Sequence, residues 1–207
     1  EPLRIILLGR TGTGRSSSAN TILGTAAFLV DASPCSLTSR CQTSTGRAVR
    51  VIDTPGFFHT RLPPEEVISE VGRCVLLSSP GPHAFLLTLQ PSRFTQEERD
   101  TLEGIKALFG PEAAQFFMVL FTQGDQLQGK SIEDFLEESP ELSELVHSCG
   151  GGYQLFDNTG RDKSTQRLQV VQLLGKIDKM VADNGGDHYS NEMFKEAEKA
   201  IRRVQAR

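Results

Sequence analysis

Leu3-Arg4-Ile5-Ile6-Leu7-Leu8-Gly9-Arg10-Thr11-Gly12-Thr13-Gly14-Arg15-Ser16 lies at the start of the chain and decides its fold. Arg4 to Leu8 reads as a continuous apolar strand bounded by Gly9, and Ser16 to Leu23 as the helix that follows it. A glycine-rich turn between a first strand and a first helix suits phosphate. Glycines let backbone N–H groups curl round the β- and γ-phosphates, and the helix N-terminus adds a favourable dipole. Ser16 stands where a hydroxyl would ligate Mg²⁺. Arg15 stands where lysine is expected, which keeps the charge on a longer, planar group. The plainer alternative is an ordinary strand-to-helix turn.

Working outward, short apolar runs alternate with longer amphipathic stretches. Val49 to Ile52, Ala84 to Leu89 and Phe116 to Phe121 read as further buried strands, with Tyr153 to Phe156 a weaker one. Such strands, separated by helices, predict a mostly parallel sheet of about six strands with helices on both faces. The strand before Asp53 should lie beside the strand before Gly9. Helices are expected over Glu65 to Leu77, from Thr95 to Gly110-Pro111, and over Ser164 to Val181. The last of these carries Leu168, Val171, Leu174, Ile177 and Val181 as its apolar stripe. Ser190 to Arg207 has one apolar side, enough to dock but not to build a second core. Gly24 to Gln42 reads as the longest structureless segment.

Composition bounds the rest. The chain has 207 residues, a net charge of -4, 38% apolar and 23% charged residues, so one globular domain without nucleic-acid affinity is expected. The longest apolar runs are far too short to span a bilayer. Leu3 to Leu8 runs into glycines rather than a cleavage site, so it is read as a strand and not a leader. Cys35, Cys41, Cys74 and Cys149 have no zinc spacing and fit a reducing cytosol. Glu1 is no initiator, so further chain is expected beyond the given ends.

The second chemical signal is Asp53-Thr54-Pro55-Gly56 at the end of an apolar strand. Asp53 could hold Mg²⁺ through water, and Gly56 could offer its N–H to a γ-phosphate. Alone the tetrapeptide is a turn; about 37 residues after a phosphate loop it becomes specific. Thr38, between the two, is either a nucleotide-sensing hydroxyl that also meets the metal or a solvated loop residue. His83 either contacts a nucleotide or partner or is a hydrogen-bonded structural residue.

The series GRTGTGRSSSANTILG (9–24), SLTSRCQ (36–42), VIDTPGFF (51–58), SSPGPHAFLL (78–87), SRFTQEE (92–98), FTQGDQLQG (121–129) and FDN (156–158) resembles the GIMAP family, the immunity-associated AIG-type GTPases. The box Pro80-Gly81-Pro82-His83-Ala84 followed by Arg93-Phe94-Thr95 is specific to that family. The resemblance implies an α/β fold, a P-loop GTPase Rossmann-like three-layer domain with a mostly parallel six-stranded sheet and a C-terminal helical extension. The G domain would span 1–185 and the docked extension 186–207. It implies GTP/GDP and Mg as cofactors, and GTP-dependent homo- or hetero-dimers with related G domains. Membrane association would come only through tails outside this sequence, at the cytosolic face of an organelle membrane, in an otherwise cytoplasmic protein. Gly9, Arg10, Thr11, Gly12, Thr13, Gly14, Arg15, Ser16 and Ser17 would surround the phosphates. Ser16, Thr38 and Asp53 would face the metal.

Base recognition departs most from the family pattern. Thr122-Gln123-Gly124-Asp125-Gln126-Leu127 replaces Thr-Arg-Lys-Glu-Asp-Leu, so the carboxylate that reads guanine is Asp125, shifted by one, or is absent. Asn158 matches the last base-contacting element, or is a turn residue. Where a Ras-like enzyme has the water-orienting glutamine, this chain has Phe57 and then Phe58. Arg93 is the candidate catalytic residue, reaching a partner's γ-phosphate across a two-fold dimer, or is a solvated loop charge. Three functions follow: a slow GTP-hydrolysing switch, a nucleotide-free pseudo-GTPase acting as an interaction module, and, with least support, a P-loop kinase or ATPase.

Overall fold

Side chains alternate across a strand, so a strand buried at every position must be covered on both faces. Three strands are of this kind: β1 (Leu3–Leu8), and the later Ala84–Leu89 and Phe117–Thr122. A computed structural model of the chain describes residues 2–9, 14–24, 37–42 (backbone only), 47–54, 73, 76–78, 80–91, 109–122, 129–158, 162–190 and 192. After β1 come α1 (Arg15–Leu23), β2 (Leu37–Gln42), β3 (Ala48–Asp53), β4 (Ala84–Leu89) and a 3-10 segment, Pro111–Phe116. β5 (Phe117–Thr122), α2 (Ile132–Glu138), α3 (Pro140–Ser148), β6 (Tyr153–Phe156) and α4 (Lys163–Asp183) complete the order. The six strands form one sheet in the order β2-β3-β1-β4-β5-β6, parallel throughout except for β2. β3 does lie beside β1, with Leu7 opposite Asp53.

Odd and even positions feed two cores. Ile6, Leu8, Phe85, Leu87, Phe117, Val119 and Phe121 belong to one core, to which α2 and α3 contribute Ile132, Leu136, Leu142, Leu145 and Val146. Ile5, Leu7, Val51, Leu86, Met118 and Leu120 face α1 and α4, with Ala19, Ile22, Leu173 and Ile177. The doubly wound three-layer α/β arrangement is the one the apolar runs predict. No helix among the described residues is long and apolar enough to cross a membrane.

Three expectations need correction. The segment Gly24 to Gln42 is not structureless to its end, because β2 pairs antiparallel with β3 from Leu37↔Asp53 to Gln42↔Ala48. Its sequence, Leu-Thr-Ser-Arg-Cys-Gln, has no apolar run; an edge strand is held by backbone pairing and needs none. The stripe of α4 is also rotated: Val170, Leu173, Leu174, Ile177 and Met180 are buried, while Leu168 and Val171 are 57% and 52% exposed. Both sets have helical spacing, and the choice is made by contacts far along the chain. A Cβ on Gly151 would come within 2.9 Å of both Met180 Sδ and Met118 Cε, so this glycine leaves room for the two methionines. Finally, α2 and α3 were not anticipated. Their starts are marked by Ser131, whose Oγ accepts from Asp134 N at 3.1 Å, and by Pro140 in the first turn of α3.

The stretch after α4 returns to the base of the sheet. Tyr189 is fully buried, its hydroxyl donating to Phe109 O at 2.9 Å and its N–H to Pro82 O at 2.9 Å. Gly81 sits so close that a Cβ there would stand 1.6 Å from Tyr189 O. This contact gives the Pro80-Gly81-Pro82 box a packing role. His83 is a structural residue: its Nδ1 accepts from Arg4 N at 3.0 Å, at the amino end of β1. The helix expected over Glu65 to Leu77 is described only at Arg73, Leu76 and Leu77, and the one from Thr95 only at Phe109. Beyond Ser190, only Glu192 is described.

Candidate functional site

The carboxyl ends of β1 and β3 lie side by side, and Gly14 turns the chain into α1 beside them. Gly14 makes that turn with φ 86° and ψ 24°, a left-handed conformation that side chains resist. A Cβ on Gly14 would also press on Thr122 Cγ2 at 3.3 Å and touch Asn158 Nδ2 at 3.5 Å, a tight fit added to the left-handed backbone. Gly14 O then accepts from Ser18 N at 2.9 Å, the first bond of α1. Among the described residues no side chain caps the helix start, and no acidic residue lies in its first turn. Its N–H groups and dipole are thus available to an anion.

Below this turn the two sequence motifs meet. Ser16 Oγ donates to Asp53 Oδ2 at 2.7 Å, and Asp53 is 1% exposed. Arg15, 6% exposed, lies against the same carboxylate with Nε 3.5 Å from Oδ1. Its Nη1 donates to Gly9 O at 2.5 Å and to Thr54 O at 3.3 Å. The guanidinium therefore spans the first residue of the loop and the residue after Asp53. Thr54 locks that end of β3 by donating from Oγ1 to Leu7 O at 2.6 Å. Sequence reading gave Thr54 no role of its own; its place directly after Asp53 was the available sign.

Asn158 is drawn into the site as a brace. Its Nδ2 donates to Ser18 Oγ at 2.9 Å and its Oδ1 accepts from Thr21 Oγ1 at 2.8 Å, tying the end of β6 to α1. Ser18 and Thr21 are thus partners that sequence reading missed, since only the fold brings them to Asn158. Ser17 lies in the first turn of α1, and Gly9 follows β1. Thr38 is described as backbone, opposite Ile52 and one position from Asp53. Arg10, Thr11, Gly12, Thr13, Gly56, Arg93 and Asp125 lie outside the described residues, as do Phe57, Phe58, Gly124 and Gln126.

Two observations bear on a divalent cation. Asp53 Oδ1 is a buried carboxylate oxygen that accepts no hydrogen bond among the described residues. Also among them, no three His, Cys, Asp or Glu side chains gather to hold a metal. One hydroxyl and one carboxylate fit Mg²⁺, which takes few protein oxygens and completes its shell with water and phosphate.

Away from the site, a second polar cluster closes the β6 edge. Tyr153 OH donates to Glu133 Oε1 at 2.7 Å, and Lys176 Nζ donates to Tyr153 O at 2.6 Å. Burial, and then the Glu133 carboxylate, push the Tyr153 phenol up to about 12, while burial lowers Lys176.

Comparisons with known proteins agree with this geometry. The AIG1 family profile matches residues 3–207. Immune-associated nucleotide-binding protein 9 of Arabidopsis thaliana is 36% identical over 208 residues, covering 96% of this chain and 61% of its own. GTPase IMAP family member 8 of Homo sapiens is 35% identical over 193 residues, covering 91% of this chain and 29% of its own. The chain thus spans less than two thirds of the length of either relative. Among solved structures, Arabidopsis thaliana Toc33 in complex with Mg²⁺ and GMPPNP superposes with a TM-score of 0.65 at 18% identity, over 88% of this chain and 85% of that one. The G domain of the T. maritima FeoB iron transporter gives 0.54 at 14% identity, over 87% and 99%. The fold is that of the P-loop GTPases, and with nearly every residue inside the family match, the chain belongs to the AIG1 family.

Proposed function

We propose that the chain is a guanine-nucleotide-binding module that takes GTP and GDP, self-associates through its nucleotide face and hydrolyses GTP slowly or not at all. The observation that carries this reading is the 2.7 Å bond from Ser16 Oγ to Asp53 Oδ2, which joins the glycine-rich loop to the Asp-x-x-Gly segment beneath an uncapped helix start. Backbone N–H groups of residues 9–17 would hold the phosphates, and Arg15 would supply fixed positive charge. With GTP bound, Ser16 and Asp53, with Thr38, would hold Mg²⁺, which would supply charge neutralisation at the phosphates. Asp125 would read the guanine, with Asn158 steadying the loop beside it. Residues 186–207 would form the docked extension, a reading supported by the burial of Tyr189.

Phe57 and Phe58, where a water-orienting glutamine would stand, support slow hydrolysis in a single copy. Toc33 supports the pairing, since dimerisation is described as important for the GTPase activity of atToc33 and psToc159. A second reading, a nucleotide-free interaction module, is favoured by the burial of Arg15 against Asp53 within the loop. Nucleotide retained through purification, followed by calorimetric titration with GDP, GTP and ATP, decides between them. GDP and GTP binding with a preference over ATP is the expected result; no heat with any of the three would leave the interaction module.

A further inference from the structure

Arg15 does more than carry the charge of the lysine it replaces. Its guanidinium bridges two backbone carbonyls, Gly9 O and Thr54 O, and lies along the Asp53 carboxylate with Nε 3.5 Å from Oδ1. Both side chains are almost entirely out of water, at 6% and 1% exposure. A buried carboxylate needs a compensating charge, and here it has one covalently attached to the chain. A lysine offers a compact point charge on a flexible stem. The guanidinium offers five donors in a rigid plane, so it can hold two carbonyls while its charge lies against the carboxylate without a hydrogen bond to Oδ1.

That arrangement changes what a divalent cation can add. Asp53 is the only carboxylate among the proposed metal-facing residues, and a cation brought to it must share Asp53 Oδ1 with a guanidinium that is already there. Like charges this close, with little water between them, repel strongly. The attraction that Mg²⁺ would gain from Asp53 is largely spent on Arg15. From this we infer, resting on the guanine-nucleotide reading above, that Arg15 is the resident cation of the site and that the chain binds GDP with little dependence on Mg²⁺.

The test is the affinity for a fluorescent GDP, read by anisotropy in millimolar Mg²⁺ and again in excess EDTA, for the wild type and for Arg15→Lys. The wild type should change by less than about threefold on removing the metal, whereas Arg15→Lys, which opens Asp53 to a cation, should lose about tenfold or more. Mn²⁺ relaxation on the GDP-bound wild type should detect no tight, stoichiometric ion. Wild-type affinity that falls with EDTA as steeply as that of Arg15→Lys overturns the inference while leaving the nucleotide reading standing. Wild-type protein that binds GDP in neither buffer removes both, and marks the nucleotide reading as what failed. Circular dichroism checks that Arg15→Lys folds; should it not, a tight Mn²⁺ ion on the wild type still overturns the inference.

Discussion

Asn158 engages both ends of its amide, giving a hydrogen bond to Ser18 Oγ and taking one from Thr21 Oγ1. Half-buried hydrogen bonds of this kind contribute about 0.5–1.5 kcal/mol each, and a partner left unsatisfied costs more. Asn158→Ala should therefore lower unfolding stability by roughly 1–3 kcal/mol, read from urea titration. Asn158→Asp should fall between the two, because a carboxylate still accepts from Thr21 and can no longer donate to Ser18. The same amide nitrogen lies 3.5 Å from where a Gly14 side chain would begin, so its loss also removes a neighbour of the turn into α1, where the proposed nucleotide would bind. GDP affinity should drop together with stability in Asn158→Ala. A variant that unfolds more easily with its GDP affinity intact would separate the brace from the binding loop.

At the scale of elements, α4 gives the sharpest contrast. Leu173 is fully buried and Leu168 is 57% exposed, although both belong to acceptable helical stripes. Leu173→Ala should cost about 2–5 kcal/mol, and Leu168→Ala no more than about 0.5. A larger loss for Leu168→Ala than for Leu173→Ala in thermal unfolding would mean the helix is seated the other way round. Equal losses would mean the two sites are not distinguished by burial. The same element marks where sequence is legible. β1, β4 and β5 could be read as apolar runs because they are buried on both faces, and burial on both faces leaves no room for polar residues. The glycine-rich loop and Asp53 could be read because their chemistry needs particular residues at particular spacing. β2 could not be read, since an edge strand is specified by the backbone of its neighbour rather than by its own side chains. Nor could the seat of α4, which depends on room left by Gly151 for Met180, or the bracing of α1 by Asn158. These are facts of distance in space between residues far apart in sequence.

For the whole molecule, the prediction concerns two copies. If nucleotide faces pair about a two-fold axis, Arg93 of each copy could stabilise charge at the other's γ-phosphate, and such arginines contribute on the order of 10³ to 10⁵ in rate. Hydrolysis per molecule should then rise with protein concentration in the wild type and stay flat and slow in Arg93→Ala. A rate that ignores concentration would remove the finger and leave a binding scaffold. Within one copy, the seat of Tyr189 against Gly81 has a mechanical consequence. Gly81 precedes β4, at the amino end of the parallel strands, whereas Gly14 and Asp53 stand at their carboxyl end, about 20 Å away along a six-residue strand. Tension applied to the residues after Ser190 would pull on the foot of the sheet and leave the phosphate loop slack. The molecule could thus be tethered by one end and loaded at the other, with the strands as struts between anchor and sensor.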